Sequence, residues 1–161
     1  MNTDDWQYIA IVSQAARETA ERPGALWRRQ GDVLEYLSFV DWTWHPGTER
    51  YFPLPSLQVT ISAEQAEELL ADRQRFVKYW VLHESRAKGD PSDGTFVYRR
   101  LSSPDRLAEQ YFWNTEWTDT TEIHDFLVGG PHDVPDLKPI DAAEAERIIQ
   151  ETTGVVGATD L

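Results

Sequence analysis

The chain has 161 residues, a formal net charge of −13 and no cysteine. The length suits one ordinary domain burying about two thirds of its unfolded surface, and the missing cysteine excludes disulfides, thiol nucleophiles and thiolate metal sites. Hydrophobic residues make up 40%, including seven Trp, six Tyr and six Phe, a content that separates it from disordered chains.

Divided after Gln74, the halves carry 6 basic with 12 acidic and 9 basic with 16 acidic residues, so −6 and −7. The charge is therefore spread over both halves. A field of that sign repels phosphate backbones, so no nucleic acid is expected as a partner, whereas a basic protein would be steered in. No apolar run approaches the roughly 18 residues of a membrane span, and Met1-Asn2-Thr3-Asp4-Asp5 lacks the layout of a signal peptide. A cytoplasmic protein without membrane contact is expected.

In chain order, Gln7-Tyr8-Ile9-Ala10-Ile11-Val12 is a short apolar run of the kind that forms a central strand. Ser13 to Gly24 reads as a loop. A second strand holds Leu26-Trp27-Arg28-Arg29, and a third is expected over Val33 to Trp44, where a period of two puts Tyr36, Ser38, Trp42 and Trp44 on one face. The proline-bearing segment Tyr51 to Thr60 disfavours a central strand. Ser62 with Gln65 is a capping-box pattern, and Ala66, Leu69 and Leu70 form the apolar face of the helix it opens.

The same series then recurs. Lys78-Tyr79-Trp80-Val81-Leu82-His83 and Val97-Tyr98-Arg99-Arg100 match the first two strands at an offset of 71. Glu84 to Gly94 reads as a loop. Gln110-Tyr111 matches Glu35-Tyr36 and Glu116-Trp117-Thr118 matches Asp41-Trp42-Thr43, both at 75, within an expected third strand over Leu107 to Trp117. The four residues gained fall at Ser102 to Asp105. Gly129 to Pro139 is a second proline-bearing segment, and Ile140 to Glu151 matches Ile61 to Asp72 at 79. There Asp141 caps with Glu144, Ala145, Ile148 and Ile149 face the core, and Gly154 stops the helix.

Collinear blocks with gaps confined to turns point to an internal duplication. The expected fold is α+β: two pseudo-symmetric βββα repeats, residues 1–74 and 75–154, forming one mostly antiparallel sheet of about six strands with two helices, followed by a loose tail over 155–161. Two small sheets are the alternative.

Phosphate-binding glycine patterns, a nucleophile elbow and a paired-His zinc helix are absent from the sequence. His124-Asp125 and His132-Asp133 have no recognised ligand spacing. No catalytic residue, metal or cofactor is assigned, and the chain is read as a binding protein and not an enzyme. The expected partner-binding residues are Asp41, Trp42 and Trp44 in the first copy and Glu116, Trp117 and Asp119 in the second. Carboxylates beside large rings suit an interface with a basic protein.

The run Tyr79 to Glu84, the strand Phe96-Val97-Tyr98-Arg99-Arg100 and the helix opening Ile61 to Glu64 resemble small uncharacterised domains of actinobacterial polymorphic-toxin loci, here doubled. The resemblance implies an immunity or antitoxin-type protein that occludes a basic toxin or effector. The alternative is a small-molecule module with a cavity at the seam, lined by Trp80, Trp113 and Trp117.

Overall fold

The computed structural model describes residues 5–83, 95–129 and 137–161. The fold is α+β, with ten strands in two antiparallel five-stranded sheets and three α-helices among the described residues. The chain divides into two compact units, Met1–Phe76 with Leu101–Leu107, and Val77–Arg100 with Ala108–Leu161. No helix among the described residues is long and apolar enough to cross a membrane.

In unit 1 the strands are β1 (Gln7–Ile11), β2 (Ala25–Gln30), β3 (Val33–Leu37), β4 (Trp44–Pro46) and β5 (Gln58–Ile61), in the order β5-β1-β2-β3-β4. The apolar β1 is central, as its composition predicts, and the strand that follows the prolines lies at an edge. Gly31, at φ 57°, provides the left-handed residue of the two-residue turn between Gln30 and Val33. Alternation sends Ile9, Ile11, Trp27 and Leu34 to one face, which Phe52 and Leu57 close. Helix α1 (Ala63–Ala71) packs against β1 and buries Ala66 and Leu69. Its capping box forms in full: Ser62 Oγ accepts from Gln65 N, and Gln65 Oε1 accepts from Ser62 N.

Unit 2 holds most of β7 (Thr95–Ser103) and β8 (Arg106–Trp113), together with β6 (Lys78–His83), β9 (Glu116–Asp119) and β10 (Lys138–Ile140), in the order β10-β6-β7-β8-β9. Pro139 sits in edge strand β10 opposite Trp80, where a missing N–H is tolerated. One face gathers Trp80, Leu82, Tyr98, Ile123 and Leu137. Helix α2 (Glu122–Val128) covers it with Ile123, Phe126 and Leu127. Helix α3 (Ala142–Thr153) packs on β6 through its buried face Ala145, Ile148 and Ile149. Asp141 caps it by accepting from Glu144 N, and Gly154 ends it at φ 77°.

Several expectations are corrected. One sheet of about six strands with two helices is replaced by two five-stranded sheets and three helices, and five strands, not three, precede α1. The long third strands break because each turns back on itself. In unit 1 Ser38 N donates to Thr43 O; in unit 2 Asn114, at φ 58°, begins the turn that pairs Trp113 with Glu116. Helix α2 escaped notice because it is one short segment whose N-cap, Thr121, makes no side-chain capping bond.

Within the last seven residues, Gly157 to Thr159 are tied to unit 2. Trp117 Nε1 donates to Ala158 O at 2.8 Å, Gly157 N and Thr159 N donate to the Glu146 carboxylate, and Thr159 is buried. Glu84 to Gly94, His132 and Asp133 lie outside the described residues.

Trp27 is the largest fully buried side chain, wedged edge-on against Phe52 and tilted against Tyr36. A Cβ on Gly47 would stand 2.5 Å from its Cζ3, and a ring held on every side has nowhere to go. Gly47→Ala is therefore expected to destabilise the protein by about 1–3 kcal/mol through overpacking, read as a lower urea midpoint with an unchanged m-value. A midpoint equal to wild type would show that the ring can shift.

Candidate functional site

The expected interface residues sit in two hairpins, one per unit, near the turns except for Asp119, which pairs with Gln110 at the far end of β9. In unit 1 the chain between β3 and β4 is tied by a carboxylate from the β7–β8 turn. Ser38 Oγ donates to Asp105 Oδ2 at 2.6 Å and Ser103 Oγ donates to Oδ1 at 2.7 Å. With their hydrogens so directed, the two hydroxyl oxygens accept from Val40 N and Phe39 N, both at 3.1 Å. Burial opposes ionisation of Asp105, but the Ser38 and Ser103 bonds outweigh it and hold its carboxyl below the ordinary value. Burial, and then the Asp105 charge, raise the pKa of Tyr36.

Asp41, though exposed, bonds within its own loop. Its Oδ1 accepts from Thr43 N at 3.0 Å and Thr43 Oγ1 at 2.8 Å, and Oδ2 lies 2.8 Å from His45 Nε2. These bonds, that of Thr43 foremost and that of His45 next, lower its pKa. Trp42 adopts φ 60°, a left-handed conformation costly for a bulky residue. Its ring stacks on Phe39 at 4.9 Å, flanks Phe76, and has the Arg73 guanidinium 5.2 Å from its centroid.

Trp44 lies on the opposite face from Tyr36, because β4 pairs Leu37 with Trp44 and Tyr36 with His45. Its ring is packed against Tyr8 and carries Arg28 at 4.4 Å. Arg28 also stands 4.1 Å from the Trp6 centroid and bonds Glu35 at 2.5 Å. Arg29, on the other face, pairs with Glu49 and lies over Phe52. The single-face aromatic stripe expected from alternation is thus divided between two faces by the turn.

Unit 2 contains a comparable arrangement. Arg99 lies 4.2 Å from the Trp117 centroid and its Nε donates to Gln110 at 2.9 Å. Trp117 also packs against Tyr79 and edge-on against Phe112. Arg100 pairs with Glu109 at 3.0 Å. Asp119 accepts from Gln110 Nε2 at 3.1 Å.

By register Trp117 answers to Trp44, not to Trp42, since Phe112 pairs with Trp117 as Leu37 pairs with Trp44. Trp80 follows Tyr79 along β6 and joins the face with Tyr98, whereas Trp117 packs on Tyr79. Trp80, Trp113 and Trp117 accordingly do not line one cavity.

Of the six expected residues, five are engaged within their own unit, and Glu116 is exposed. Sequence reasoning gave too little weight to Trp113, which is 50% exposed. It stacks on Phe96 at 6.0 Å, 23° from parallel, with Tyr111 6.4 Å away. The available signal was its place in the register: the position answering to Trp113 in unit 1 is Ser38, which is buried.

His124 and Asp125 lie exposed on α2, and among the described residues no three His, Asp or Glu side chains gather where they could hold a metal ion. Unit 1 has an open groove of about 490 Å³ between the loop at Ala20 to Arg22 and α1. Its rim carries Glu21, Glu68 and Asp72 alongside Arg22 and Arg75, charges of both signs of which Arg75 and Asp72 pair at 3.4 Å.

No family model matches the chain, and comparison with curated proteins and with solved structures found no match.

Because the folded pKa of Asp105 lies below its unfolded value, its contribution to stability is present above the ordinary Asp pKa of about 3.9 and is lost as pH falls through the folded value. Asp105→Asn is expected to lower stability at neutral pH and to narrow its gap to wild type as pH drops below about 4. Chemical denaturation across that range would reveal a constant gap if the carboxylate's charge were immaterial.

Proposed function

We propose that the protein is a non-catalytic, acidic binding protein of the immunity or antitoxin kind, which neutralises a basic toxin or effector by covering its surface. The observation that carries this reading is the composition of the hairpin ends, where large apolar side chains stand in solvent beside carboxylates. Val40 is 59% exposed next to Asp41, Leu107 is 62% exposed close in sequence to Asp105, and Trp113 is half-exposed opposite Glu116. Apolar anchors within an acidic rim suit a partner whose own surface is basic, and a net charge of −13 would steer such a partner in. Interior needs account for Trp42, Trp44 and Trp117; they do not account for Val40, Leu107 or Trp113.

We further propose that the two units descend from one copied βββββα segment. The pairings support it: Tyr8 with Arg28 and Ile61 in unit 1, Tyr79 with Arg99 and Ile140 in unit 2. These are the same positions at the offsets 71 and 79 that align the sequences. The four extra residues lengthen the β7–β8 hairpin, whose end, Leu101–Leu107, belongs to unit 1 and supplies the Asp105 clamp.

Co-expression with the product of the adjacent gene tests the reading. The expected outcome is relief of that product's growth arrest and a complex whose association slows about tenfold between roughly 0.05 and 0.5 M salt, as steering is screened. Growth arrest that persists, with no complex by titration calorimetry, would count decisively against it.

A further inference from the structure

The protein already shows how it holds a guanidinium. In unit 1 the Arg28 guanidinium lies over the indole of Trp44, 4.4 Å from the ring centroid, while Glu35 bonds the same guanidinium at 2.5 Å. An aromatic face supplies the quadrupole and a carboxylate supplies the counter-charge, and the two act together on one planar cation.

Trp113 and Glu116 offer the same two groups, and no cation of the described residues is placed between them. They are direct cross-strand partners at the end of the β8–β9 hairpin, so their side chains rise from one face of sheet 2, about 5 Å apart at Cβ. Trp113 is half-exposed and braced by Phe96 and Tyr111, which limits the ordering cost when a ligand settles on it. Glu116 is exposed, and among the described residues it makes no ion pair and no cation lies over Trp113.

The first unit acts as an internal control. At the positions that answer to Phe96 and Trp113 it has Ala25 and Ser38, and its sheet forms without the rings. Folding therefore does not require a large aromatic pair at this end of the sheet, and leaving half of an indole in water gives up burial worth about 25 cal/mol per Å² of apolar surface.

We propose that the Trp113–Glu116 pair is the anchoring site for an arginine side chain presented by the basic partner: the guanidinium stacks on the Trp113 indole and forms hydrogen bonds with the Glu116 carboxylate. The inference rests on the proposed function and names the point of contact. Opposite charges make the pairing favourable, and an aromatic braced from behind with a charged rim is the composition of an interface hot spot.

The test uses a blocked nonapeptide of alternating arginine and glycine, with the citrulline analogue as an isosteric neutral control, against the isotope-labelled full chain. The Trp113 indole N–H is assigned from Trp113→Phe. Expected is a saturable shift of that indole larger than at the other indoles, absent with the citrulline peptide and weakened at least about fivefold by Glu116→Gln. Equal shifts at all indoles, or an equal response to citrulline, would overturn the site. Both variants alter exposed groups, and an otherwise unchanged spectrum verifies their fold.

The partner itself separates this inference from the reading beneath it. If Trp113→Ala and Glu116→Gln bind the adjacent gene's product as tightly as wild type, the anchor is refuted and the immunity reading stands. A loss of about thirtyfold for Trp113→Ala supports both. No binding by wild type refutes the reading while the peptide result still decides the anchor.

Discussion

A guanidinium lying against an indole, repeated once in each sheet, is the interaction around which this structure is arranged. Arg28 with Trp44 and Arg99 with Trp117 link β2 to β4 and β7 to β9 across the strand between them. They take two tryptophans and Arg28 into the half-buried layer of their sheets and bury Arg99. An arginine so placed needs a hydrogen-bonding neighbour on the adjacent strand, and Glu35 and Gln110 occupy that position. Stacking on one side and hydrogen bonding on the other keep the charge solvated by protein. A Trp whose ring is committed to such a pair is no longer available to a partner, which sets Trp44 and Trp117 apart from the half-exposed Trp113.

The acidity of the chain separates into two populations. Glu35, Glu49 and Glu109 neutralise strand arginines, while Asp105 orders two serine hydroxyls and Asp41 caps its own turn. These carboxylates serve local structure, and of them Asp41 and Asp105 also stay exposed at the surface. The remainder, with a formal excess of −13 over the whole chain, forms the field a partner would meet. An acidic surface whose anchors are apolar or aromatic combines long-range attraction with short-range desolvation, and association of that kind gains its rate from the first and its lifetime from the second.

The hairpin end in unit 1 has a further physical consequence. Asp105 and Ser103 come from Leu101–Leu107, far along the chain from Ser38 and Phe39. The turn that presents Val40 and Asp41 is thereby fixed by residues more than sixty positions away. A loop held at its base by a charge-assisted network is ordered before it meets anything, and the entropy of fixing it is borne by folding instead of by binding.

Local signals were strong where a short stretch of chain decides the outcome. The capping residues Ser62 and Asp141, the apolar helix faces behind them, the terminating Gly154 and the central apolar strands could all be read directly, because caps and alternation act over a few residues. The α+β class was legible for the same reason. The turns at Ser38 to Thr43 and Asn114-Thr115 were not, since a chain that alternates on both sides of a turn reads as one strand. A missed turn reverses the face of everything beyond it, and so Trp44 is expected on the wrong side of its sheet. Whether a given indole is structural or free depends on which arginine lies across the sheet from it, a fact about neighbours distant in sequence that only the folded arrangement decides.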